Sequence, residues 1–151
     1  MPVNQLINTL NQSGEGYETG AFLQVMEYDS AQTGNLLNGT VVAIETGTTT
    51  PWLIKKTTTT PDFLMWGVIV LAPTNGYTPG SACYVVTEGI TQVLFDANNT
   101  TAGHLALQSS TTAGTCTDSA TATLAKTLGT ILQTLTISSG TALVWVAVHK
   151  M

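Results

Sequence analysis

The side chains that could do acid–base, nucleophilic or metal chemistry are few and widely spaced: His104 and His149, Glu88 and Asp96, Cys83 and Cys116, with four lysines and no arginine in 151 residues. A nucleophilic enzyme needs a base beside its nucleophile, and neither Gly-x-Ser-x-Gly nor Ser-x-x-Lys occurs. His149 stands next to the last residues and His104 stands where a polar loop meets a short apolar run, so both read as structural or exposed histidines. A metal centre needs clustered ligands, and there is no Cys-x-x-Cys, no His-Glu-x-x-His and no Asp-rich loop. The one grouping left open is Asp96 and Glu88 meeting His104 in space. Gly14-x-Gly16-x-x-x-Gly20 has one residue too many for a dinucleotide fingerprint. The expectation is a protein that is not an enzyme and holds no cofactor.

Composition narrows the classes further. A net charge of −5, a pI near 4.6 and four lysines cannot neutralise a run of phosphates, so no nucleic-acid partner is expected. The longest apolar run, Phe63 to Ala72, is too short to cross a bilayer as a helix and reads as a buried strand. Met1-Pro2-Val3-Asn4 has neither the positive region nor the hydrophobic stretch of a secretion signal. Only 9% of residues are charged while 29 are threonine, so the surface must be made largely of neutral polar side chains. Two cysteines allow one disulfide, but Cys83 in a predicted strand reads as a small buried hydrophobe, and Cys116 falls in a Thr-rich loop. The Asn-x-Ser/Thr sequons at Asn11, Asn38, Asn98 and Asn99 are what chance gives in a chain rich in Asn and Thr.

The elements that position these groups divide the chain into an arm, residues 1–20, and a single β-rich body, residues 21–151. In the arm, Val3, Leu6, Ile7 and Leu10 fall at helical spacing behind Pro2; an extended arm or a frayed terminus is the alternative. Strands are expected at Ala21–Tyr28, Gly39–Glu45 and Phe63–Ala72, and at Ser81–Val86 and Ile90–Phe95 joined by a three-residue hairpin, Thr87-Glu88-Gly89. Thr46–Pro61 reads as an open loop or edge segment, and Ser109–Thr121 as a mobile surface loop. His104–Gln108 is a further short strand. Over 124–137 a long or bent strand is preferred to a helix, with Gly129 marking a bulge or a close backbone approach. Thr141–His149 alternates with apolar residues on both faces and is expected to be central, with Trp145 in the core. Strands punctuated by Gly and Pro, without a convincing long helix, give an all-β barrel or sandwich. Trp52 sits in polar, turn-rich surroundings and is the best candidate for a contact between subunits, with Phe63 and Trp66 nearby.

Trp66-Gly67-Val68-Ile69-Val70, then Tyr77-x-Pro79-Gly80-Ser81-Ala82-x-x-Tyr84-Val85-Val86-x-x-Gly89, then Leu128-Gly129-x-Ile131-Leu132 and Gly140-x-x-Leu143-Val144-Trp145-Val146 form a rhythm of strands and glycines. Over about residues 39–149 this rhythm resembles the head decoration, or capsid cement, proteins of tailed bacteriophages. The resemblance implies a small β-clip or β-tulip body, a homotrimer seated on the outer capsid where major capsid protein subunits meet, and an N-terminal arm that orders against the shell. Val3, Leu6, Ile7, Leu10 and Tyr17 are the arm residues placed to make that contact. A head-fibre base, a tail-tube subunit or another minor virion protein is the second structural reading. A carbohydrate-binding module using Trp52 and Tyr77 is the reading from a different class.

Overall fold

Alternating apolar positions and frequent Gly and Pro turns fold into strands alone, and among the described residues there is no helix. The computed structural model describes residues 21–50, 52–60, 64–123 and 126–149. The arm positions Val3, Leu6, Ile7, Leu10 and Tyr17, and Phe63 in the body, lie outside those residues. The strands are β1 (Phe22–Tyr28), β2 (Val41–Ile44), β3 (Leu53–Lys56), β4 (Met65–Val70), β5 (Ala82–Phe95), β6 (Leu105–Gln108), β7 (Cys116–Ser119), β8 (Thr127–Ile131) and β9 (Ala142–Val148).

These strands close into two five-membered rings that share β5. The first ring runs β1-β3-β2-β4-β5 and returns to β1, and the second runs β5-β7-β6-β8-β9 and returns to β5. Each ring contains one parallel pairing, β1 with β3 and β5 with β7; the other pairings are antiparallel. Side chains of opposite parity serve different interiors. Val42, Ile54, Ile69, Cys83 and Val85 fill the first ring with Met26, Tyr28, Leu36 and Tyr77. Their neighbours Val41 and Val68 face the other way and pack with Val93, Phe95, Leu128, Ile131, Val144 and Val146 in the second core. Strands β2 and β4 are thus covered on both faces, as expected of the apolar run Phe63–Ala72, and each fully buried Val or Ile is worth roughly 1.5–3 kcal/mol against exposure.

The junction differs from the expected hairpin. Thr87-Glu88-Gly89 has the length and the glycine of a hairpin turn, but the chain runs on as one 14-residue strand. Glu88 is the last residue paired with β1, opposite Phe22, and Gly89 is the first paired with β9, opposite Val148. Gly89 has φ +112°, and a Cβ there would stand 2.5 Å from the Cα of Ala21. Glycine therefore bends the strand without reversing it, and each half finds its own ring.

Three other expectations change. The segment expected as an open loop or edge contains β3, which is an inner member of the first ring between β1 and β2. Cys116 begins β7 and is fully buried, so the Thr-rich segment from 109 is anchored at its centre. Trp145 is half-buried on the outside of the second ring, because Val144, Val146 and Val148 take the inside. In contrast, Gly129 does mark a close backbone approach: a Cβ there would collide with the carbonyl of Ala147. The bulge lies beside it, where β8 carries Leu128 as an extra residue between the partners of Ala106 and Leu107.

Polar side chains then stitch one ring to the other. The Gln108 amide donates to the carbonyls of Thr58 (2.6 Å) and Thr60 (2.7 Å), in the segment after β3. Gly114 donates to Thr57 (3.0 Å) and accepts from the Val41 N–H (2.9 Å), tying the 109–115 loop to the first ring. One buried group breaks this pattern: the Thr91 hydroxyl lies among apolar side chains with no partner among the described residues. An unmade buried hydrogen bond costs about 1–3 kcal/mol. Thr91→Val keeps the shape and removes that cost, so thermal denaturation should show a midpoint raised by roughly 2–4 °C per kcal/mol recovered; a lowered midpoint would contradict the assignment.

Candidate functional site

The ionisable groups with possible chemistry are spent on structure. The His104 Nδ1 meets Asp118 Oδ1 at 2.7 Å, and the other oxygen of Asp118 accepts the Thr101 N–H at 2.6 Å. The carboxylate facing His104 is therefore Asp118 on β7, and the grouping with Asp96 and Glu88 that the sequence left open is not formed. Asp96 is buried and accepts from Ser109 Oγ (2.7 Å) and from the Asn98 side-chain amide (2.9 Å), holding the loops that flank β6. Glu88 lies in the first ring opposite Phe22. The His149 ring shares a hydrogen bond with the Thr130 hydroxyl at 2.7 Å. Among the described residues, no three His, Cys, Asp or Glu side chains gather where they could hold a metal ion.

The two thiols sit in different cores, Cys83 in the first ring and Cys116 in the second, and both are free. Burial pushes the Cys83 thiol up from 9.0 to about 11. Burial, and then the charge of Asp96, push Cys116 up further still. Both readings of Cys83 are thereby resolved in favour of a small hydrophobe. The groups ionise more readily in the unfolded chain, so their contribution to stability is intact below pH 9 and declines as pH rises towards 11. Native protein at pH 8 should leave both cysteines unmodified by a thiol-specific reagent such as Ellman's, with two equivalents reacting after unfolding in guanidinium; rapid native labelling of either would contradict their burial.

The aromatic candidates separate. Trp52 is 54% exposed just before β3, and its carbonyl accepts the Glu27 N–H at 3.3 Å. Trp66 is the extra residue of a bulge in β4, between the partners of Val42 and Ala43. It packs against the first core and its indole N–H donates to Gln24 Oε1 at 2.8 Å. Tyr77, a sugar platform only in the alternative carbohydrate-binding reading, is buried, and its hydroxyl is directed at the carbonyls of Val70 (3.1 Å) and Leu71 (2.9 Å). That contact supports Leu71, whose φ of +55° is unusual for a branched side chain.

Two surface features bring exposed apolar residues together, while Leu37, Trp52, Leu64 and Leu143 are exposed outside them. On the first ring, Val25 and Tyr84 stand opposite one another on β1 and β5 and, with Phe22, are exposed to 63%, 37% and 58%. They border a small outer cluster of Ala21, Leu23, Val70 and Val86. On the second ring, Ile90, Leu132, Gln133 and Trp145 line an open depression of about 440 Å³. The sequence did not single out either group: Ala21–Tyr28 reads as a strand without saying which face is wet, and β9 is equally apolar on both faces.

No protein-family model matches the chain, and no curated protein matches it. Among solved structures it is similar to the head fiber gp8.5 N base of bacteriophage phi29, with a TM-score of 0.49 and 12% sequence identity, covering 85% of this chain and 94% of that one.

Proposed function

We propose that this chain is a structural subunit of a tailed-phage head, a decoration or cement protein that binds the outer surface of the mature capsid as a homotrimer and ties neighbouring capsomers together. The observation that carries the reading is the exposed apolar pair Val25 and Tyr84, registered partners on β1 and β5, on the strand that follows residues 1–20 in the chain. Contiguous exposed apolar surface marks contact with another protein, and here it follows in the chain the segment whose Val3, Leu6, Ile7, Leu10 and Tyr17 are proposed to meet the major capsid protein. Trp52, exposed before β3, is the proposed contact between copies, with Phe63 and Trp66 secondary. The tailed-phage setting comes from the strand-and-glycine rhythm of the sequence.

The chemistry suits a clamp. No catalytic step, cofactor, nucleic acid or membrane has a place in the proposal. Three arms on one trimer would raise the effective concentration for the second and third contacts once the first is made. A protein that binds only the expanded lattice stabilises that lattice by linkage. The sparse charge of the surface lets many copies stand close together without strong repulsion.

Deleting residues 2–16 should leave a folded body that no longer co-sediments with mature heads, and Val25→Asp should weaken co-sedimentation without changing the far-ultraviolet spectrum. Undiminished binding by both variants would refute the clamp. Electron microscopy of particles labelled at the C-terminus distinguishes decoration, with label over the facets, from a head-fibre base or a tail subunit, with label on a fibre or the tail.

A further inference from the structure

The outer face of β8, β9 and β5 presents a small grid of side chains. Thr130, Ala147 and Ile90 form one row, being registered partners across the three strands. In the next row Trp145 pairs with Gln92 on one side, while on the other its carbonyl accepts the Leu132 N–H at 2.8 Å. The depression of about 440 Å³ opens here. This falls within the size range of small-molecule sites, which combine an apolar wall with a few placed polar groups.

Those polar groups have a definite character. The Oε1 of Gln133 accepts the Trp145 main-chain N–H at 3.3 Å, which orients the carboxamide and leaves its two N–H donors available. The Trp145 indole N–H has no acceptor among the described residues, and Gln92 adds a second amide on the same face. None of the four lining residues is ionisable. A phosphate or carboxylate ligand would meet no cation among these four, and a purely apolar ligand would leave the amide and indole donors unmatched.

A pyranose ring matches both demands. Its C–H face carries partial positive charge and lies against the negative face of an indole, while its hydroxyl rim accepts from and donates to carboxamides. We infer that this depression is a binding site for a neutral saccharide, with Trp145 as the stacking platform and Gln133 as the group that reads the hydroxyls. The inference does not depend on the capsid reading. It also moves the sugar-binding aromatic from Trp52 and Tyr77, where the sequence placed it, to Trp145 on a rigid strand.

The test follows the three indole N–H signals of the ¹⁵N-labelled full-length protein, assigned by single Trp→Phe variants, during titration with maltotriose, cellotriose and chitotriose. The expected result is a saturable shift of the Trp145 signal with at least one of them, with the Trp52 signal unmoved. Gln133→Ala, which also removes the acceptor of the Trp145 N–H and is therefore checked for an unchanged far-ultraviolet spectrum, should weaken that binding roughly tenfold or more. An unmoved Trp145 signal with all three sugars would overturn the site, as would a shift that Gln133→Ala leaves unchanged. Concentration-dependent broadening of the Trp145 signal without sugar, removed by Leu132→Asp in the same depression, would assign the face to a second copy of the chain and would likewise overturn it.

Discussion

One strand has to satisfy two closed hydrogen-bond rings, and most of the architecture follows from that requirement. The N-terminal half of β5 bonds to β1 and β4, and its C-terminal half bonds to β9 and β7. The switch needs a backbone bend in which neither half loses its ladder, and Gly89 supplies it where Ala21 crosses too closely for a side chain. Because β5 is common, the two cores share walls: Val41 and Val68 belong to strands of the first ring yet pack in the second core. The Gln108 side chain and the Gly114 main chain then tie the two rings together away from β5.

Closure also decides how such a body can recognise anything. Ring closure gives every described strand a partner on both sides, although β1 meets β3 over two residues and β5 meets β7 over one, so no strand presents a whole free edge. Recognition then falls mainly on side chains of the outer faces, and two of these carry neighbouring apolar residues, Val25 with Tyr84 and Ile90 with Leu132 and Trp145. The first includes the strand that follows residues 1–20 in the chain; the second is a neutral, amide-rimmed hollow. Threonine covers much of the remainder, keeping an extended backbone hydrated while adding no charge.

The fold class was legible because β-branched runs between Gly and Pro leave little choice but strands. The apolar run through Val68, Ile69 and Val70 was also rightly read as covered on both faces. What escaped was non-local. A Thr-Glu-Gly sequence permits either a turn or a bend, and the decision rests with β1 and β9, which are far away in the chain. The β3 residues Leu53–Lys56 are flanked by threonines and a proline, and only pairing on both sides makes them an inner strand. Trp145 shows the same limit at the site: the alternation in β9 separates two faces, but both are apolar, and only the closed ring says which is inside. His104 found its carboxylate in Asp118, 14 residues further on, through the pairing of β6 with β7.

Two rings joined through β5 should open as one cooperative body, which native-state hydrogen exchange of the main-chain amides measures. Amides in the first ring, such as Val85, and in the second, such as Val93 and Val146, should exchange with the same opening free energy, equal to that of global unfolding and equally sensitive to denaturant. Two separate opening energies, one ring exchanging while the other stays protected, would contradict the account.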